Sequence, residues 1–286
     1  GVNTLTSNIS GSGNNAIGQD ALQANITGDN NNAIGIQALY SNTTGSYNVA
    51  NGFLSLKTNT TGIRNTASGA YSLFNNTSAT STVAIGYGSA QGLADYSNQG
   101  GTYLGYQSGF SADTGSDYNT FLGYSSGYGV TTGARNILLG QSTINDSQNQ
   151  VTTGNNNIAI GNDVAVASPT ANNQLNIGNL IYGTGLDGTG ATVSTGNIGI
   201  GTSSPASTFT VVGSACISQG TGATAPCSTT AGTITATVFN TANADLAEVY
   251  PTADHTITAG MLTALDQSGP LTLEKASATT TELLFG

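Results

Sequence analysis

Charge is scarce in this chain of 286 residues. Only 6% of them are Asp, Glu, Lys or Arg, against about 25% in an average soluble domain. The basic residues are four, Lys57, Arg64, Arg135 and Lys275, and they are scattered. Binding nucleic acid requires clustered cations to neutralise phosphates, so nucleic acid is excluded as a partner. The same shortage argues against an anionic membrane surface, and no apolar run approaches the roughly 20 residues that span a bilayer. There is no tryptophan, one methionine, one histidine and two cysteines. That leaves no Cys/His spacing for zinc. His255 lies beside Asp254 but has no Ser or Cys pattern to make a triad. Asp245 and Glu248 form the one carboxylate pair of note, and packing or turn capping is the simpler role for them. The chain reads as a non-enzyme with no cofactor and no metal. Acidic turns such as Gly28-Asp29-Asn30 and Asp187-Gly188 offer oxygen ligands for calcium but lack the repeated spacing of calcium-binding solenoids.

What is abundant is glycine, 40 residues, and it is periodic. Gly18, Gly35, Gly52, Gly69 and Gly86 stand 17 apart. Variants of one phrase surround them, from Asn15-Ala16-Ile17-Gly18 to Val83-Ala84-Ile85-Gly86. A fixed period of this size is the signature of stacked coils. A leucine recurs at Leu22, Leu39, Leu56 and Leu73, and a Thr-Gly turn at Thr27-Gly28, Thr44-Gly45 and Thr61-Gly62. The phrase continues at looser spacing through Leu104-Gly105, Leu122-Gly123, Leu139-Gly140, Ile160-Gly161 and Ile177-Gly178. The expected fold is all-β, a parallel β-solenoid.

Residues two apart on a strand share a face. The bulky residues Ile17, Ile34, Ile85, Leu104, Leu122, Leu139, Ile160 and Ile177, with Val83, Ile137, Ile158 and Leu175, are expected to point inward. The small residues Ala16, Gly18, Ala33, Gly35, Ala50, Gly52, Ala67, Gly69, Ala84 and Gly86 would then form the other face. Smallness that consistent suits contact with another backbone, so this face is expected to be an interface with a neighbouring chain. The alternative is that Ala and Gly merely permit a tight bend.

Asn8, Asn25, Asn42, Asn59 and Asn76 each begin an Asn-x-Ser/Thr acceptor pattern for glycosylation. They also share the 17-residue period. Sugars on rows about 4.8 Å apart would collide, so an asparagine ladder, each amide bonded to the next, is the expected role. Tyr87, Tyr96, Tyr103, Tyr106, Tyr118, Tyr124 and Tyr128 cluster where the spacing loosens. They either form an exposed binding surface, for carbohydrate among other ligands, or fill wider coils.

Three regions follow: a repeat solenoid over 1–182; a Gly/Thr-rich connector over 183–243 with a last stack element at Asn197–Gly201 and strands at 208–212 and 233–239; and a small β module over 244–286. The last 42 residues hold 6 of the 14 acids. Cys216 and Cys227 are expected to close a loop as a disulfide, two free thiols being the alternative.

The phrases Asn14-Asn15-Ala16-Ile17-Gly18 and Val83-Ala84-Ile85-Gly86 resemble the head repeats of trimeric autotransporter adhesins. Ala38-Leu39-Tyr40-Ser41-Asn42-Thr43-Thr44-Gly45 and Gly196-Asn197-Ile198-Gly199-Ile200-Gly201-Thr202-Ser203-Ser204-Pro205 are similar to repeats and junctions of bacteriophage tail fibres. Ala244-Asp245-Leu246-Ala247-Glu248 resembles the opening of a C-terminal fibre module. The resemblance covers about 200 residues of repeat and the last 45 or so. It implies a β-roll, a parallel homotrimer, and an extracellular, cell-surface or virion location. The expected function is a structural and adhesive subunit of a fibre or filament, joined end to end, with a surface glycan as its possible ligand. The alternative is a tail fibre recognising a host surface.

Overall fold

The computed structural model describes residues 1–142 and 151–212, and beyond them the backbone of three short strands. Ten three-residue strands run parallel and in sequence order: β1 (Asn15–Ile17), β2 (Asn32–Ile34), β3 (Val49–Asn51), β4 (Thr66–Ser68), β5 (Val83–Ile85), β6 (Thr102–Leu104), β7 (Thr120–Leu122), β8 (Ile137–Leu139), β9 (Ile158–Ile160) and β10 (Leu175–Ile177). Each turn of chain returns one strand, so the fold is a β-solenoid of about nine turns. The register is unbroken: Ala16 pairs with Ala33, Ala33 with Ala50, Ala50 with Ala67, and Ala67 with Ala84. Turns are laddered too, as when Leu22 N donates to Ala38 O at 3.0 Å and Ile26 N to Thr43 O at 2.8 Å. Three more strands extend the same sheet across residue 183: β11 (Ile181–Gly183), antiparallel to β10 and to β12 (Ile198–Ile200), then β13 (Phe209–Val211), parallel to β12. A separate compact unit contains β14 (Thr263–Leu265), β15 (Leu273–Lys275) and β16 (Leu284–Phe285), an antiparallel sheet in the order β15-β14-β16.

The inward face is the reverse of the expected one. The middle residue of each strand from β2 to β10 is buried, and Ala33, Ala50, Ala67 and Ala84 are at most 1% exposed. The bulky flanking residues look outward: Ile17 is 55% exposed and Leu122 46%. The reason is room. A coil this thin is already filled by the leucines Leu22, Leu39, Leu56 and Leu73, all fully buried, so only a methyl group fits opposite them. Asn51 and Ser68 are then ordinary polar residues on an outer face.

The glycine column also meets a backbone, but that of the same chain. Gly35 has φ of +137°, and a Cβ there would lie 2.4 Å from the carbonyl oxygen of Gly52. Any side chain would push successive turns apart. Ala16, Gly18, Ala33, Gly35, Ala50, Gly52, Ala67, Gly69, Ala84 and Gly86 therefore hold coil to coil, and the expected inter-chain interface on them is withdrawn.

Each regular turn also bends through left-handed residues, as at Gln37, Leu39 and Tyr47 with φ of 55°, 51° and 62°. Left-handed backbone crowds Cβ, most severely when Cβ is branched. Among the described residues, none of the 23 non-glycine residues with positive φ is Val, Ile or Thr, although isoleucine and threonine are frequent in the sequence. That is why the buried column is leucine rather than isoleucine.

Candidate assembly and binding surface

Two internal amide columns hold the turns in register. The first is the expected one. Asn25 Nδ2 donates to Asn8 Oδ1 at 2.7 Å, Asn42 Nδ2 to Asn25 Oδ1 at 2.8 Å and Asn59 Nδ2 to Asn42 Oδ1 at 2.8 Å. Asn76 is not joined to this run. Its Nδ2 donates the other way, to Asn98 Oδ1 at 2.7 Å, and its Oδ1 accepts from Ala79 N at 2.6 Å. Asn59 Oδ1 is left buried with no hydrogen-bond partner. The column thus reverses direction between Asn59 and Asn76. Asn25, Asn42, Asn59 and Asn76 are fully buried, which removes them as acceptors of sugar in the folded chain.

The second column escaped the sequence reading. Asn14, Asn31, Asn48 and Asn65 precede their strands, and each Oδ1 accepts from the backbone N–H of the next, at 2.9 Å for Asn31 and 3.0 Å for Asn48 and Asn65. The last Oδ1 takes Thr82 N at 3.0 Å, and the pattern resumes from Asn119 to Asn136 to Asn157 to Gln174. The 17-residue recurrence of these asparagines was a visible signal. It was hidden by their neighbours Asn15 and Asn32, which share the motif but sit outside.

The tyrosine cluster divides between both of its expected roles. Tyr96 and Tyr103 fill the interior. The Tyr103 hydroxyl accepts from Asn98 Nδ2 at 2.9 Å and donates to Ser116 O at 3.2 Å, and the Tyr96 hydroxyl donates to Ala90 O. Burial pushes the Tyr103 phenol up to about 12 and that of Tyr96 well above its usual value. Tyr87, Tyr106, Tyr118 and Tyr124 are exposed. Tyr87 stacks on Tyr106 with centroids 5.5 Å apart, and Tyr106 on Tyr124 at 5.0 Å. Arg135 sits over the Tyr118 ring at 5.7 Å.

The outer face of the sheet is apolar for most of its length and carries no charge on any of its ten parallel strands. Its two columns read Asn15, Asn32, Val49, Thr66, Val83, Thr102, Thr120, Ile137, Ile158, Leu175 and Ile17, Ile34, Asn51, Ser68, Ile85, Leu104, Leu122, Leu139, Ile160, Ile177. The register continues the stripe onto Ile198, Ile200, Phe209 and Val211.

The acidic turns are used locally. Asp29 Oδ1 accepts from Ser12 N at 2.7 Å and from its hydroxyl at 3.0 Å. Asp187 accepts from the Thr195 hydroxyl at 2.6 Å and its N–H at 2.7 Å, which lowers its carboxyl below the usual range. Among the described residues no three His, Cys, Asp or Glu side chains gather as metal ligands, and no helix is long and apolar enough to cross a membrane. Cys216, Cys227, Asp245, Glu248 and His255 lie outside the described residues. No protein-family model, no curated protein and no solved structure matches this chain.

Proposed function

We propose that the chain is a structural and adhesive subunit of an extracellular fibre, and that it associates with copies of itself through the outer face of the sheet. The observation that carries this is the uncharged, largely apolar stripe along all ten parallel strands. From β5 to β10 its two columns are apolar except at Thr102 and Thr120, and exposed apolar surface of this kind marks an interaction site. At about 4.8 Å per strand the stripe is about 45 Å long. Two side-chain columns and their flanks make it about 15 Å wide, hence about 700 Å². A stable interface needs about 800 Å² from each partner. A second copy offers an equally flat and uncharged surface, so neither buries an unpaired charge. The resemblance to adhesin heads and tail fibres makes a parallel homotrimer the expected stoichiometry, at a cell surface or on a virion. Tyr118, exposed and paired with Arg135, is the surface offered to a glycan.

Sedimentation tests the reading. The wild-type chain should sediment as a trimer. Ile85→Asp with Leu104→Asp and Leu122→Asp, all at exposed sites, should give monomers that melt as cooperatively as wild type. A wild-type chain that stays monomeric at tens of micromolar, or an Asp variant that still associates, overturns it.

A further inference from the structure

A groove runs beside the exposed tyrosines. Ile85 and Tyr87, Leu104 and Tyr106, and Leu122 and Tyr124 are exposed pairs, separated in each case by a glycine, Gly86, Gly105 or Gly123. Only a glycine separates the members of each pair, so the aliphatic and aromatic columns run side by side along the axis as two walls with no side chain between them. The aromatic wall is continuous, since its rings stack within 12° and 8° of parallel. Edge contacts from Tyr87 to Tyr71 at 5.7 Å and from Tyr71 to Phe53 at 5.4 Å carry it two turns further. Five rings, hence four steps of about 4.8 Å each, give it a length of about 19 Å.

This geometry selects a ligand. A sugar packs on an open ring face, but both faces of Tyr106, at the centre of the wall, are covered by Tyr87 and Tyr124. A long flat molecule can instead lie lengthwise in the slot and bury its surface against both walls. Charge makes the second selection. From Val83 to Tyr124 the chain carries Asp95, Asp113 and Asp117 and no Lys, Arg or His, and the whole chain has a net charge of -10. That field draws cations and repels anions.

We propose that the groove between Ile85–Leu104–Leu122 and Tyr87–Tyr106–Tyr124 binds elongated planar aromatic cations along the solenoid axis. The site stands apart from the self-association reading, although the two share the aliphatic column. The probe is thioflavin T, titrated into the full-length chain by fluorescence, with sedimentation of the same samples reporting assembly. Saturable enhancement is expected. Tyr106→Ser with Tyr124→Ser should weaken it about tenfold or more, the worth of losing two ring contacts. Tyr47→Ser, at an exposed site in a column that already holds Ser81, should leave it unchanged. The anionic dye anilinonaphthalene sulfonate should bind about tenfold more weakly. No saturable signal from folded chain, equal binding by the double variant, or equal binding of the anion overturns the proposal. Chains that bind dye without associating leave the groove standing and remove the self-association reading. Chains that associate when concentrated but bind no dye once diluted to monomer do the reverse.

Discussion

The turns carrying β1 to β4 and those carrying β6 and β7 have the same backbone and opposite cores. In the first group a buried leucine sits six residues after a strand alanine, as in Ala33 with Leu39. In the second the order is exchanged: Tyr103 precedes Gly109 and Phe121 precedes Gly127. A Cβ on Gly109 would lie 2.5 Å from the Tyr103 ring, and one on Gly127 2.4 Å from Phe121. The ring therefore occupies the place that leucine holds elsewhere. Volume has moved between two positions of one turn while the total space stayed filled, as close packing requires. The second amide column is interrupted next to this exchange, at Thr82 and Gly101, whereas the first reverses earlier, between Asn59 and Asn76.

The comparison is broken most severely by a change both groups share. Gly52→Val puts a branched side chain at φ of +147°, where a Cβ alone is 2.5 Å from Gly69 O. The loss expected is about 3 kcal/mol or more, read as a collapsed melting temperature or an unfolded circular dichroism spectrum. Tyr103→Ala should cost about 3–5 kcal/mol through the cavity it leaves. Adding Gly109→Leu, which recreates the Ala/Leu pair of the earlier turns, should recover about 1–3 kcal/mol of that in chemical denaturation. If the pair is no more stable than the single variant, the exchange of volume is not what distinguishes the two groups.

Alkali should separate the groups as well. Tyr103 holds its proton up to about 12 when folded, whereas an unfolded tyrosine loses it near 10. The stability it contributes is complete below pH of about 10 and is lost as pH rises to about 12. The loss is on the order of 3 kcal/mol. Tyr103→Phe should flatten that part of the pH profile, and a profile as steep as wild type would show that Tyr103 is not its source. The smallest effect lies in the first group. Leu39→Ile should cost about 1–2 kcal/mol more than Leu39→Met, because branching at Cβ opposes the left-handed backbone. Equal melting temperatures would remove that explanation of the leucine column.

The legible parts of this fold were those that depend on period alone. The 17-residue spacing was enough to place β1 to β5, the glycine column and the Asn25–Asn42–Asn59 run. What it could not reveal was which side of a three-residue strand faces in. Ile17 and Ala16 were ranked by hydrophobicity, which decides when an interior has room. Here Leu22 and its successors had taken the room, and that competition exists only once the turn is closed. Tyr103 and Gly109 were equally hard to pair by eye, since neither obeys the repeat. Read together as a large and a small residue six apart, they mirror Ala33 and Leu39. Asn31 was missed because Asn31 and Asn32 are identical letters with opposite surroundings.

The unbroken register of the early turns makes the chain a ruler. Each partner of Ala50, Asn42 or Gly52 is its own equivalent one unit earlier or later, so a unit can be copied or deleted with every neighbour still finding a matching surface. Reach then changes in increments of one strand spacing, about 4.8 Å, and no other residue has to change with it.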